Sequence, residues 1–286
     1  SNILRALGDS KTPLYFLVFS SVLNIFLDIL FILPLGMGVA GAAWATILSQ
    51  FLSAVLSLLV GMRRFAVLHL RKADFANLGN AMVVHLKTGF QMSVMCIGQL
   101  AMQMVVNSLG TAAVAGYTAA SKADQLSVLV NNAMMTAISN YVAQNFGAGK
   151  RERICQGVRA SLIQTETFNV LMCAGIILLR HPIVELFMSN PTKEIYHYSD
   201  AYLTIVAPFY VILGLLAVYR TTIQSMLNGW APFAACMIEL VMRISATVGL
   251  VGMLGYTSVC IASPMAWLGA CALLIPCYYR MMKAWK

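Results

Sequence analysis

Charge is what this sequence has least of. Only 10% of its 286 residues are Asp, Glu, Lys or Arg, against the roughly 25% of an ordinary soluble domain. Ten acids and nineteen bases cannot wet the surface of a soluble chain this long, and 60% of the residues are apolar. The mean hydropathy is +0.79. These figures exclude a soluble enzyme, a disordered tail and a nucleic-acid binder. They leave a polytopic membrane protein, because only helices and closed barrels span lipid.

Other features are absent too. The chain opens on Ser1 rather than Met, in helix-like sequence, and no signal peptide can be read at its start. It is therefore expected to begin inside a larger protein. The seven cysteines (96, 155, 173, 236, 260, 271 and 277) have no C-x-x-C spacing and sit mostly in apolar runs, which reads as small buried hydrophobes in a reducing or lipid setting. The four histidines (69, 85, 181 and 197) fall near helix ends or loops. There is no nucleophile–base arrangement, no His and Cys metal cluster and no phosphate loop, so no enzyme and no cofactor is expected.

What is present is length of apolar run. A spanning helix needs about 20 mostly apolar residues. Eight segments qualify, near 12–34, 38–61, 84–107, 112–143, 154–179, 200–226, 232–254 and 258–280. Barrel strands would be alternating segments of about ten residues, so the fold class is all-α with eight transmembrane helices. Gly98, Gly116, Pro208, Gly214, Gly249, Pro264 and Pro276 punctuate them, as close packing and kinks around a cavity require.

Basic residues give an orientation. On the side of the N-terminus lie Arg5, Lys11, Arg63, Arg64, Arg71, Lys72, Lys150, Arg151, Arg153, Arg280, Lys283 and Lys286; the other side holds Arg180 and Lys193. Twelve against two predicts that the first side, with both ends of the chain, is cytoplasmic. The net charge of +9 is mostly this signal, and anionic lipid is its natural partner. The polar stretch from Met62 to Asn80 reads as a cytoplasmic linker.

An internal repeat is also present. At a shift of 219 residues Pro13 falls on Pro232, Gly36 on Gly255 and Ala43 on Ala262, and the layout of 1–64 falls on 220–283 without a gap. Such repeats are common in secondary transporters. Four helices precede the second copy and none precedes the first, so equal halves would imply four more helices upstream.

Several motifs resemble one family. Arg5-Ala6-Leu7-Gly8-Asp9-Ser10-Lys11-Thr12-Pro13, Gly38-Val39-Ala40-Gly41-Ala42-Ala43-Trp44-Ala45-Thr46, Ala119-Ala120-Ser121-Lys122 and Ala143-Gln144-Asn145-Phe146-Gly147-Ala148-Gly149-Lys150 followed by Arg153-Ile154 are similar to segments of multidrug and toxin extrusion (MATE) transporters. The resemblance implies a two-lobe, inverted-V transporter of twelve helices, of which this chain carries numbers 5 to 12. Residues 1–64 would be the end of the N-lobe, 65–83 the interlobe linker and 84–286 the C-lobe. It implies a monomeric, multi-pass protein of the cell membrane that exports organic cations or drugs in exchange for H⁺ or Na⁺. The sequence departs from the family at Gly89-Phe90-Gln91, where a Pro is usual near the start of the seventh helix, and in lacking the first four helices.

Ionisable groups at bilayer depth are functional candidates. Asp28 has Asn24 one turn away on the same face. Counting from the turn at Pro34, Asp28 lies about 9 Å deep and Thr46, on the next helix, about 12 Å. A carboxylate, an amide and a hydroxyl can ligate Na⁺, and a desolvated Asp can carry a proton. The three resemble the family's N-lobe cation site, which also uses an Asp on the first helix. At a shift of 219 they become Arg243, Thr247 and Met265, so coupling is expected in one lobe alone.

In the second lobe Glu239 and Arg243, at i and i+4, are expected to pair. Lys122, Asp124 and Glu166 are candidates for the substrate cavity, with Gln99 and Gln103 as further lining or as partners of Glu166. The Met and aromatic content suits either an adaptable drug-binding wall or plain helix packing. Two alternatives to a drug exporter stay open: a lipid-linked oligosaccharide flippase of the same superfamily, which Lys122 and Arg243 would suit, and an inactive membrane fragment.

Overall fold

A computed structural model describes residues 4–5, 7–9, 11–65, 78–188 and 191–285. Every regular element among the described residues is helical: α1 (Lys11–Ile32), α2 (Gly38–Arg64), α3 (Leu78–Ser108), α4 (Thr111–Gly147), α5 (Arg151–Leu178), α6 (Arg180–Phe187), α7 (Lys193–Val206), α8 (Tyr210–Ser225), α9 (Trp230–Ile244), α10 (Val251–Leu254) and α11 (Tyr256–Ala284). A 3-10 turn, Ala207–Phe209, joins α7 to α8 at Pro208, and a π-helical turn, Ser245–Gly249, follows α9. The chain divides into two units, Ser1–Gly79 and Asn80–Lys286. Most of the linker expected at 65–83 lies outside the described residues, and α3 already begins at Leu78. Polar residues at a membrane surface can still be helical, so an apolar window starts a helix late.

Among the described residues seven stretches, against the eight expected, are long and apolar enough to cross a membrane: α1, α2, Gly89–Ser108, α5, Lys193–Ser225, Trp230–Gly249 and α11. The exception is α4. It runs for 37 residues, about 55 Å, which is ample length. Its middle, however, carries Ser121, Lys122, Asp124, Gln125, Ser127, Asn131 and Asn132. A helix that faces a polar cavity gives up the hydropathy by which spans are recognised.

The first unit is one helical hairpin. Arg5 to Asp9 forms a tight left-handed turn: Gly8 has φ +89°, Gly8 N donates to Arg5 O at 3.0 Å and Asp9 N to Leu4 O at 2.9 Å. The Asp9 carboxylate then caps α1, accepting from Thr12 N at 3.0 Å and Thr12 Oγ1 at 2.6 Å. Arg64, at the far end of α2, closes the hairpin on the same carboxylate at 2.7 Å. These bonds hold the Asp9 carboxyl below its ordinary range, the Thr12 hydroxyl first, its backbone N–H next and Arg64 last. At the other end the chain reverses around Gly36 and Gly38, at φ +60° and +54°. In α1 only Pro13 is buried.

The second unit contains the matching hairpin, and the backbone repeats at the same shift. Leu227 takes the place of Gly8, with φ +62°. Leu227 N donates to Gln224 O at 3.1 Å and Asn228 N to Ile223 O at 3.3 Å. Asn228 takes the place of Asp9, its Oδ1 capping α9 through Trp230 N at 3.2 Å and Ala231 N at 3.3 Å. Gly255, φ +53°, turns the chain where Gly36 does. Around this hairpin pack α3, α4, α5, α7 and α8, with Tyr210, Met102, Ile154, Leu203 and Leu274 among the largest fully buried side chains.

The cysteines need a correction. Cys236, Cys260 and Cys271 are buried, Cys173 and Cys277 half-buried, and Cys96 and Cys155 exposed; all seven are free thiols. In a membrane protein an apolar run can face lipid, so the run alone does not imply burial in protein.

Candidate functional site

Two places concentrate polar groups at span depth, one in each unit. In the first hairpin Asn24 Nδ2 donates to Thr46 Oγ1 at 3.5 Å, bringing α1 and α2 together at the depth reached by counting from the turn. Thr46 Oγ1 donates in turn to Ala42 O at 3.0 Å. Asp28 stands one turn from Asn24, half-buried. Its Oδ1 is shut off from solvent and accepts no hydrogen bond among the described residues. A charged oxygen in that setting is costly unless it gains a proton or a cation.

In the second unit a cavity of about 450 Å³ opens among α3, α4, α7, α8, α9 and α11. It brings together five of the expected residues: Gln99, Gln103, Asp124, Glu239 and Arg243. Lys122 and Glu166 do not line it. Lys122 is exposed; two residues from Asp124 is about 200° around a helix, so the two cannot share a face. Glu166 points at α8, where a methyl placed on Gly214 would meet its Oε1 at 2.6 Å. Nor does Gln103 serve it, since Gln103 Nε2 donates to Asn107 Oδ1 at 2.9 Å. Asn131, which also lines the cavity, donates its Nδ2 to Asn169 Oδ1 at 3.1 Å and to Ser127 O at 2.9 Å, tying α4 to α5.

The expected Glu239–Arg243 pair does not form. Glu239 pairs with Arg220, which comes from α8. Side-chain direction accounts for it: an i, i+4 pair on a buried face must compete with whatever a packed neighbour offers, and α8 offers a guanidinium directly. Arg220 was missed in the sequence because it lies near the end of its span. The depth count would have found it: Arg220 is nine residues before Gly229 and Glu239 ten after. The loss of Glu239 leaves Arg243 alone. It is 7% exposed, lines the cavity, and its guanidinium has no hydrogen bond or ion pair among the described residues.

Aromatic rings complete the wall. Tyr117 and Tyr202 meet edge to face with centroids 5.3 Å apart, and Trp267 lines the same space. Tyr210 stands beside Asp124. Periodicity did not single out these rings, since a core tyrosine and a cavity tyrosine have the same helical spacing. No cluster of metal-ligating His, Cys, Asp and Glu occurs among the described residues.

Comparison with known proteins agrees with this architecture. The family model MatE matches residues 88–248. The chain is 30% identical to the probable multidrug resistance protein YpnP of Bacillus subtilis, over 100% of its own length and 64% of the relative's. It is 23% identical to the FAD transporter of Shewanella oneidensis, over 78% of this chain and 50% of that one. In fold it superposes on the crystal structure of the Vibrio cholerae MATE transporter VcmN in the bent form with a TM-score of 0.86 and 19% identity, covering 99% of this chain and 65% of that one. The chain thus spans between half and two thirds of the length of these proteins. With helices of spanning length, a repeated hairpin and a polar cavity all in place, this multi-pass membrane chain belongs to the MatE family, whose members are transporters.

Proposed function

We propose that the protein carrying this chain is a secondary active exporter of drugs or organic molecules, driven by inward movement of H⁺ or Na⁺ and using no cofactor. The observation that carries the reading is the shielded, unpartnered Oδ1 of Asp28, one turn from an amide that reaches Thr46 at 3.5 Å. Asp28 would take up the coupling ion from outside, with Asn24 and Thr46 completing its oxygen surroundings. Occupation removes a charge from lipid depth, which biases a two-state transporter toward one of its two faces. Substrate would leave the cavity of the second unit as the ion enters.

Support for the placement comes from the twelve bases against two, which favour a cell-membrane protein with both ends of this chain in the cytoplasm. The lobe division at 1–64, 65–83 and 84–286 remains part of the proposal, as does action as a monomer. One relative is named for FAD, so family membership alone does not fix the charge of the substrate.

The test is dye efflux from cells expressing the complete reading frame that contains this chain. Asp28→Asn should reduce efflux to the level of cells without the protein, whichever ion drives it. Unchanged efflux would overturn the coupling assignment. Repeating the assay with a Na⁺ gradient and no proton gradient, and the reverse, identifies the ion.

A further inference from the structure

The substrate class is open to a sharper reading at Arg243. Four charged side chains border the cavity: Asp124, Arg220, Glu239 and Arg243. Arg220 and Glu239 neutralise each other. Asp124 lies beyond ion-pair reach of Arg243 and beside Tyr210. Arg243, at 7% exposure, therefore feels the Asp124 carboxylate across the cavity but has none in ion-pair contact. Arginine does not shed its proton in proteins, and a buried, unpaired charge is strongly destabilising.

The side chain is also held in place. A methyl on Gly98 of α3 would lie 3.2 Å from Arg243 Cδ and 3.8 Å from its Nε, so the stem lies across the bare backbone of that glycine. Gln99, the next residue, faces the same cavity. A guanidinium fixed by its stem presents its N–H fork to the open space, where two oxygens of one oxyanion can accept parallel hydrogen bonds. Tyr117, Tyr202 and Trp267 offer a ring-lined wall beside it.

We propose that this cavity selects organic molecules bearing an anionic oxygen group, a carboxylate or a phosphate, which Arg243 receives as the partner that Glu239 does not supply. A flat aromatic body would lie against the tyrosines and the tryptophan. A simple monocation would have to sit beside Asp124 and away from Arg243, which it meets as a like charge. This reading rests on the proposed exporter activity for its transport arm but not for its binding arm.

The experiment uses rhodamine B, which has a free carboxylate, and its ethyl ester, which does not. Binding to the purified full-length protein is followed by fluorescence anisotropy, and uptake into proteoliposomes is measured separately. The wild type should bind the free acid about tenfold more tightly than the ester, the effect of one charge-assisted hydrogen-bonded group. Arg243→Gln should bring the two dyes to equal affinity by weakening the acid alone, while Arg243→Lys should keep part of the preference. Should Arg243→Gln fail to fold, Gly98→Ala serves in its place: displacing the stem should weaken the acid several-fold and leave the ester unchanged. Competition by benzoate and by phenyl phosphate tells which oxyanion is preferred. Equal or tighter binding of the ester by the wild type, or a ratio untouched by both Arg243→Gln and Gly98→Ala, overturns the proposal. Arg243-dependent binding without uptake of either dye would sink the exporter reading and leave the site standing. Uptake with no carboxylate preference would do the opposite.

Discussion

The two hairpins, Lys11–Arg64 and Trp230–Ala284, share one backbone plan and differ in what surrounds it. Within the span of this chain, which covers 64% of the length of its relative YpnP, the first has little around it: the most apolar stretches of α1 and α2 are 0% and 17% buried. The second sits in a packed bundle, and the corresponding windows are 39% and 61% buried. Exposure and chemistry change together. Among the described residues, Asp28 Oδ1 of the first hairpin has no hydrogen-bond partner, whereas Glu239 of the second is held by Arg220. A buried ion pair holds geometry, whereas an unpaired acid is available to an ion.

The largest effect should come from setting these two acids against each other. Asp28→Asn should abolish coupled efflux while leaving the melting temperature in detergent unchanged or raised, since it removes an unsatisfied charge. Glu239→Gln should do the reverse to stability, costing about 3–5 kcal/mol by stranding Arg220, and the double change Arg220→Met with Glu239→Leu should recover most of that loss. Equal stability losses for Asp28→Asn and Glu239→Gln would erase the contrast.

A smaller effect tests the turns. Gly8→Ala should cost about 1 kcal/mol, because a side chain is placed at φ +89°. Leu227→Gly should instead stabilise by about 0.5 kcal/mol, relieving φ +62° at a side chain that is 81% exposed. Chemical denaturation of both variants measures the pair, and a loss at both positions would show that Leu227 contributes packing.

The smallest effect is acid dependence. The Asp9 carboxyl titrates below its ordinary range, so its staple is fully present above the unfolded value and is lost as pH falls through the lowered one. Asn228, in the same place in the second hairpin, does not titrate. Asp9→Asn should flatten the acid end of the melting-temperature profile, and an unchanged profile would mean that Asp9 adds nothing to stability.

Much of this was legible from residues, and the remainder has identifiable causes. The repeat is legible in Pro13, Gly36 and Ala43 against their partners, and the depth count puts Asp28 near the level of Thr46, with Asn24 one turn away on the same face. The helix expected at 112–143 forms as α4, but the polar residues of its cavity face leave it less apolar than the other spans. The Glu239–Arg243 pair failed because local spacing carries no information about α8. Glu166 was placed in the cavity as the lone acid of its span, but a helix has two inward directions and Gly214 made room on the other. Fold comes from periodicity and turns, which are local. Which acid meets which base depends on packing between helices far apart in sequence.

Leu227 has a consequence beyond its own strain. A left-handed turn is cheap with glycine and costly with leucine, yet both copies bend there with the same hydrogen bonds. The same geometry is thus reached with a residue for which it is not inexpensive. Ancestry in such duplicated folds is written more durably in the sign of a torsion angle than in the alphabet of side chains. A comparison of torsions along the chain would reveal kinship between halves whose letters have drifted apart.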